Sequence, residues 1–353
     1  MENRSQMDKD AIALAKKIQI QFEIFKQQKQ YQHIAKLISY AWQVNPSHFN
    51  HQIFGYLPGI FREIELFPAS QPIQPKDLCI GEPVIYKIYY PQAQKLYNIP
   101  FFYIFCYLKE NSDNLNVYFQ SAHPQHKKLA PDDYDLKQKK IAFEGCVSSF
   151  NQDDISVISI SDPGQFIPGI TSSYYVGSVE FNFVKFIAQV LENICEASGI
   201  DCNNTMLFGS SAGTFGALLS STYFKQKVNV LAVNSQILLQ YRKQLMTLFF
   251  DTSEPKKLLE KFGEQISCVY RFQQELTSIP NIYILANIND NLHTLNWNFY
   301  QLYLENFTQA GANNQSVFDS YYGVEGHGRP EQSSLKTKIR IAREVLTMKS
   351  NSE

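Results

Sequence analysis

The chain reads as an α/β protein with a mainly parallel sheet and helices on both faces, and three observations predict this. Apolar runs such as Ile155–Ile160 (ISVISI) and Asn281–Ile288 (NIYILANI) have the length and branched content of strands buried on both faces. Helical spacing recurs between such runs, as at Phe183, Phe186, Ile187, Val190 and Ile194. The two patterns then alternate to the C-terminal end, which suits a sheet covered on both sides.

The elements follow in order. From Asp10 to Gln43 the spacing is helical, with Leu14, Ile18, Phe22 and Phe25 on one face and Ile34, Leu37, Ile38 and Ala41 on another. The polar stretch KQQKQ (Lys26–Gln30) divides the two and Pro46 closes the second, so a helical hairpin is expected. Its second half faintly resembles one tetratricopeptide half-repeat, but no copy follows, and such units need about three repeats to be stable. Residues 1–60 therefore read as a helical extension for packing or oligomerisation, through which residues 10–45 would meet a second copy or a partner, and 61–353 as the main domain, the one expected to carry the chemistry. After a proline-rich bridge, Pro83–Tyr90 and Phe101–Leu108 read as strands, antiparallel and near an edge. Strands follow at Leu115–Gln120, Ile155–Ile160, Thr205–Phe208, Val228–Val233, Asn281–Ile288 and Ser316–Tyr322. Helices are expected at Phe181–Ala197, Thr214–Phe224, Pro255–Glu275, Leu295–Ala310 and Leu335–Lys349.

Composition limits the function classes. Of 353 residues, 44% are hydrophobic and 18% charged, which is enough to bury a large core and argues against disorder. A formal net charge of −1 supplies no field to attract nucleic acid or an anionic membrane. Phe (26) and Tyr (21) are abundant, as suits either an aromatic core or a sugar-binding cleft. The polar start MENRSQMDKD has no apolar run behind it, and Ile99–Leu108 suits a buried strand better than a membrane span. Six scattered cysteines show no metal-ligand spacing and read as reduced thiols, so no metal and a cytoplasmic location are expected. No phosphate-binding glycine motif follows a strand.

The stretch FGSSAGTFGA (Phe208–Ala217) contains G-x-S-x-G between a strand (TMLF) and a helix (TFGALLSSTYF). A turn crowded with small residues for packing alone is the bland reading. The strand before and the helix after favour a nucleophile at Ser211 instead, because that setting exposes a serine hydroxyl on a sharp turn. Gly209 and Gly213 allow the close turn, and the Ala212 N–H at the helix start is aimed to hold a developing oxyanion.

An acid and a base follow in the order Ser…Asp…His found in α/β-hydrolases. Asp290 lies just past NIYILANI, where an ordinary helix cap is the competing role. His327 sits in GVEGHG, a glycine-flanked loop that suits a catalytic base better than a core residue. His293 is the rival base and Asp319 the rival acid.

At SISDP (Ser159–Pro163), YYVG (Tyr174–Gly177), LFGSSAGTFG (Leu207–Gly216) and AVNSQ (Ala232–Gln236) the chain resembles the α/β-hydrolase-type O-acetyltransferases of bacterial capsule biosynthesis. It is distantly similar to glycan-modifying accessory secretion proteins. The resemblance spans about 114–329 and leaves the N-terminal third aside. It departs from the family's Asn-Pro-Gln at Asn234-Ser235-Gln236, and from Gly-Gly after the elbow at Gly213-Thr214. Those departures spare the triad and leave the substrate open.

The resemblance implies an α/β-hydrolase-like domain that uses acetyl-CoA as acyl donor, an acetyl-Ser211 intermediate and a polysaccharide or other glycan hydroxyl as acceptor. The second oxyanion donor would come from Gln120 or Ser121, and Tyr174, Tyr175, Asn234 and Gln236 would help to bind substrate, with core packing equally open to the two tyrosines. Lys127, Lys128, Lys137, Lys139 and Lys140 suit either a solvated loop or contact with CoA phosphates. Two rivals remain: a serine esterase with water as acceptor, and a non-catalytic assembly factor of glycan biosynthesis.

Overall fold

The structure is a computed structural model, and it describes residues 13, 16–18, 20–44, 61–91, 100–122, 143–150, 154–167, 170–308 and 313–347. The five lysines between 127 and 140, Leu14, and the side chains of Ile38 and Ala41 lie outside the described residues.

Nine strands form one sheet: β1 (Glu63–Leu66), β2 (Val84–Tyr89), β3 (Phe101–Tyr107), β4 (Asn114–Phe119), β5 (Ile155–Ile160), β6 (Thr205–Ser210), β7 (Asn229–Val233), β8 (Asn281–Asn287) and β9 (Ser316–Tyr321). Their order is β1-β2-β3-β5-β4-β6-β7-β8-β9. Only β3 runs against its neighbours, pairing antiparallel with β2 and β5. The protein is thus α/β with a mostly parallel, α/β-hydrolase-like sheet. β1 went unread in the sequence: four residues (EIEL) with one buried side chain carry too little apolar pattern.

Both faces of the sheet are apolar, and the period of two sorts its residues between them. In β8, Ile282 and Ile284 join one core while Tyr283 and Leu285 join the other. The helices Phe183–Ser198, Ala212–Ser221 and Pro255–Ile266 supply the first core. The second takes Ile18, Phe22, Tyr31 and Ile34 from the N-terminal helical residues, with Ala342 and Leu346 from the C-terminal helix Gln332–Thr347. Helical residues end at 27, and the helix Tyr31–Val44 begins after a turn in which Lys29 has φ 54°.

The local signals for helix ends act as expected. Asn182 accepts from the Lys185 N–H at 3.1 Å at the start of Phe183–Ser198, and Gly199 ends that helix with φ 75°. Lys243–Phe250 is a further helix that was not read from sequence.

Sheet order places the site. β4 lies between β5 and β6, so the chain leaves β4 toward one side and reaches β6 on the other. A crevice at the carboxyl ends of such strands is the usual ligand position in an open parallel sheet. The parallel run β6 to β9 brings the segments after Ser210, Val233, Asn287 and Tyr321 to that same edge.

Candidate active site

Ser211 follows β6 directly and takes φ 53°, ψ −116°, a region sparsely used by any residue with a side chain. The neighbouring glycines serve close packing and not an unusual φ. A Cβ on Gly209 would lie 2.4 Å from the Gly213 carbonyl oxygen, and one on Gly213 would lie 2.4 Å from that of Phe119. The turn is held by the Ser211 N–H, which donates to the Val233 carbonyl at 2.9 Å.

The hydroxyl meets a histidine and an acid. Ser211 Oγ lies 2.7 Å from His327 Nε2, and His327 Nδ1 lies 2.7 Å from Asp290 Oδ2. The Asp290 side chain is only 2% exposed, so its charge is kept from solvent and faces the ring. Its other oxygen accepts from the Leu292 N–H at 2.9 Å, which fixes the rotamer. An acid on Nδ1 selects the tautomer with Nε2 free of hydrogen, so Nε2 is the acceptor for the Ser211 proton.

The rivals lie elsewhere. His293 Nε2 is 3.3 Å from Ser320 Oγ, with its ring edge-on to Phe318. Asp319 takes hydrogen bonds from Tyr283 Oη and from Lys338 Nζ.

The candidate oxyanion donors divide. Ala212 is the first residue of its helix, where an N–H has no helical carbonyl to meet. The Gln120 N–H, however, donates to the Ile160 carbonyl at 3.2 Å, and the Ser121 N–H to Glu144 Oε1 at 2.7 Å. Both expected second donors therefore have other acceptors. Ser121 instead ties the ends of β4 and β6 together, its Oγ donating to the Ser210 carbonyl at 2.6 Å.

Tyr174 and Tyr175 do not present open faces for a sugar. Tyr175 is fully buried, and its hydroxyl donates to the Gln120 carbonyl at 3.0 Å. Tyr174 is 8% exposed and donates to Gln236 Oε1 at 2.7 Å. Both have positive φ, 57° and 60°, a strain of about 1–3 kcal/mol each. A buried carboxylate offsets it. Asp162 accepts from the N–H groups of Gly164, Ser173 and Tyr174 and from the hydroxyls of Ser172 and Ser173. Burial pushes the Asp162 carboxyl above its ordinary range and these hydrogen bonds pull it back only in part, so the carboxyl holds the loop against a cost in desolvation.

Asn234 and Gln236 both reach the site, by different routes. Gln236 Nε2 donates to Ser211 Oγ at 3.0 Å. Asn234 instead holds the loop of His327, its Nδ2 donating to the Gly328 carbonyl at 2.9 Å.

Sequence reading missed four supporting residues. Asn287 binds the carbonyls of Gly323, Glu325 and Gly326. Arg242 binds Gln236 Oε1 at 2.7 Å. Arg329 donates from Nε to Ser210 Oγ at 2.8 Å and from Nη2 to Glu144 Oε1 at 2.8 Å. Asp162 lies within SISDP, where nothing in the sequence marks it as the anchor of the Ser172–Tyr174 loop. Among the described residues, no three His, Cys, Asp or Glu side chains converge as metal ligands, and no helix is long and apolar enough to cross a membrane.

No family model and no curated protein matches the chain. Among solved structures it is similar to the capsule O-acetyltransferase of Neisseria meningitidis serogroup A, at 16% identity and TM-score 0.47 over 69% of this chain and 91% of that one. It is also similar to the glycosylation associate protein complex of Streptococcus agalactiae, at 14% identity and TM-score 0.44 over 72% and 45%. An esterase from the planctomycete Thermogutta terrifontis gives 14% identity and TM-score 0.42 over 73% and 94%.

Proposed function

We propose that the protein is a serine-dependent acyltransferase that moves an acetyl group from acetyl-CoA to a glycan hydroxyl. The observation that carries this reading is the continuous chain from Ser211 Oγ through His327 to Asp290, with both links at 2.7 Å. The donor and acceptor classes rest on the sequence resemblance at SISDP, YYVG, LFGSSAGTFG and AVNSQ, as does action in the cytosol, where acetyl-CoA is present.

In the first step His327 Nε2 takes the Ser211 proton while Oγ attacks the thioester carbonyl carbon. The Ala212 N–H and the start of its helix face the oxygen that becomes negative. The C–S bond then breaks, and the leaving thiolate takes the proton from His327. In the second step an acceptor hydroxyl gives its proton to Nε2 and attacks the acyl carbon. The C–Oγ bond breaks, Ser211 recovers a proton from His327, and the new ester departs. Asp290 holds the ring and stabilises its charge in both steps.

A second reading, esterase action, has its own observation: His327 remains 37% exposed, so water has access to the base. The deciding experiment follows free CoA thiol from acetyl-CoA with and without capsule-type oligosaccharides. Faster release with an oligosaccharide, and an acetyl group found on it, supports transfer. Equal rates with only acetate formed support the esterase.

A further inference from the structure

The Gln236 carboxamide stands between the nucleophile and the base. Its Nε2 lies 3.0 Å from Ser211 Oγ and 3.1 Å from His327 Nε2, and those two atoms are themselves 2.7 Å apart. The amide has one possible orientation. Oε1 accepts from Arg242 Nη2 and from Tyr174 Oη, each at 2.7 Å, and a guanidinium offers only donors. An N–H of Gln236 therefore faces the reacting pair.

A point within hydrogen-bonding reach of both Oγ and Nε2 has a defined chemical meaning. An oxygen must stand there to give its proton to the histidine and attack a carbonyl carbon bonded to Oγ. Here an amide nitrogen fills that point. Its lone pair is delocalised into the carbonyl, so it is no nucleophile, and its N–H groups face the atoms that would orient a water.

We propose that Gln236 is a specificity-determining residue whose carboxamide keeps water from the acyl-serine and yields to a hydroxyl of a bound acceptor. This rests on the acyl-serine reading above. Displacing the amide breaks its contacts with Oγ and Nε2 and loosens those with Arg242 and Tyr174. Water brings one oxygen to that exchange. An acceptor also brings the binding energy of its non-reacting part, which can drive the displacement. Arg242 is exposed and lies 5.4 Å from the Tyr174 ring, so the outer anchor of the amide is open to an acceptor arriving from solvent.

The step suppressed is hydrolysis, in which water gives a proton to His327 and its oxygen to the acyl carbon, the C–Oγ bond breaks, Oγ takes that proton back from His327, and acetic acid leaves. The test uses the full chain with p-nitrophenyl acetate, which acylates without CoA or a glycan. Intact mass and peptide mapping follow the acetyl group on Ser211 after excess ester is removed. Gln236→Ala is expected to shorten the adduct's lifetime about tenfold by admitting water. Arg242→Ala, at an exposed position, is expected to shorten it by less; the lifetime is read as the decay rate of the adduct, which does not depend on the size of each variant's p-nitrophenolate burst. An adduct that lives as long in both variants as in the parent overturns the proposal and leaves the acyl-serine reading standing. A longer-lived adduct in Gln236→Ala does the same and makes the amide a donor to developing charge. A parent chain that forms no adduct on Ser211 overturns both.

Discussion

The side-chain oxygen of Asn234 accepts a hydrogen bond from the Asn287 backbone N–H at 2.9 Å, locking the ends of β7 and β8 together. The same two side chains hold the loop that carries His327. Asn234 Nδ2 reaches the Gly328 carbonyl at 2.9 Å and Tyr321 Oη at 2.7 Å. Asn287 Nδ2 lies 2.9 Å from the carbonyls of Glu325 and Gly326, and its Oδ1 accepts from the Gly323 N–H at 3.0 Å. A loop with glycines at 323, 326 and 328 has few side chains to pack, so these hydrogen bonds fix where the imidazole stands.

Asn287→Ala is accordingly expected to lower kcat far more than it changes KM, because His327 is misplaced while the rest of the site is kept. Its loss of buried hydrogen bonds should also destabilise the fold by about 1–3 kcal/mol. Steady-state kinetics beside a thermal melt checks both. An unchanged kcat would show that the loop holds its shape without Asn287.

Ser211→Ala is expected to remove activity by several orders of magnitude with folding intact, and His327→Ala to be nearly as damaging. The double variant should be no worse than either, since the two act as a unit. Asp290→Asn should be milder, because it orients the ring without touching substrate. Rates for the four variants, each with a circular dichroism spectrum, decide this. Activity that survives in His327→Ala and is lost in His293→Ala would contradict the assigned base.

Gly209→Ala and Gly213→Ala are expected to destabilise the elbow, since each added Cβ would meet backbone oxygen at 2.4 Å. Overpacking of this kind costs about 1–3 kcal/mol, more where the neighbour is backbone and cannot rotate away. Urea unfolding of each variant measures it. Unchanged stability in Gly213→Ala would mean that Phe119 and the helix can separate without penalty.

The legibility of this site from sequence follows the range of the interactions. The elbow was readable because Gly209, Ser211 and Gly213 lie within one turn and their spacing carries the geometry. His327 was favoured by chain order and by its glycine-flanked loop; that its ring meets Ser211 while that of His293 meets Ser320 follows from where β8 and β9 end, which the sequence does not display. Asn287 was not readable because its loop partners lie 36 to 39 residues on, and Arg242 and Asp162 were not because Arg and Asp occur in any loop and nothing in their spacing marks Gln236 or Ser172 to Tyr174 as partners. Tyr174 and Tyr175 show the opposite difficulty: an aromatic pair suits a sugar platform and a core equally until burial is known. β1 and the helix Lys243–Phe250 escaped because one is too short for a period and the other lies beside a run of polar residues.

Asp319 supplies a pH test away from the chemistry. Burial raises its pKa, but hydrogen bonds from Lys338 and Tyr283 and the ammonium charge outweigh it, so the carboxyl sits below its ordinary 3.8. A carboxyl depressed in the folded state adds stability above the unfolded value, and loses it as pH falls through the folded one. Asp319→Asn is therefore expected to cost about 1 kcal/mol at neutral pH, with the difference fading in acid below 3.8. Urea midpoints of parent and variant between about pH 3 and pH 7 trace it. A difference that grows in acid would contradict the sign.

The acyl-serine intermediate is the claim on which the rest depends, and intact mass spectrometry after brief incubation with acetyl-CoA reads it directly. The expected result is one added acetyl group, mapped by peptide fragmentation to Ser211 and missing from Ser211→Ala. An unmodified parent chain that still releases CoA thiol, or an adduct that persists in Ser211→Ala, would contradict it.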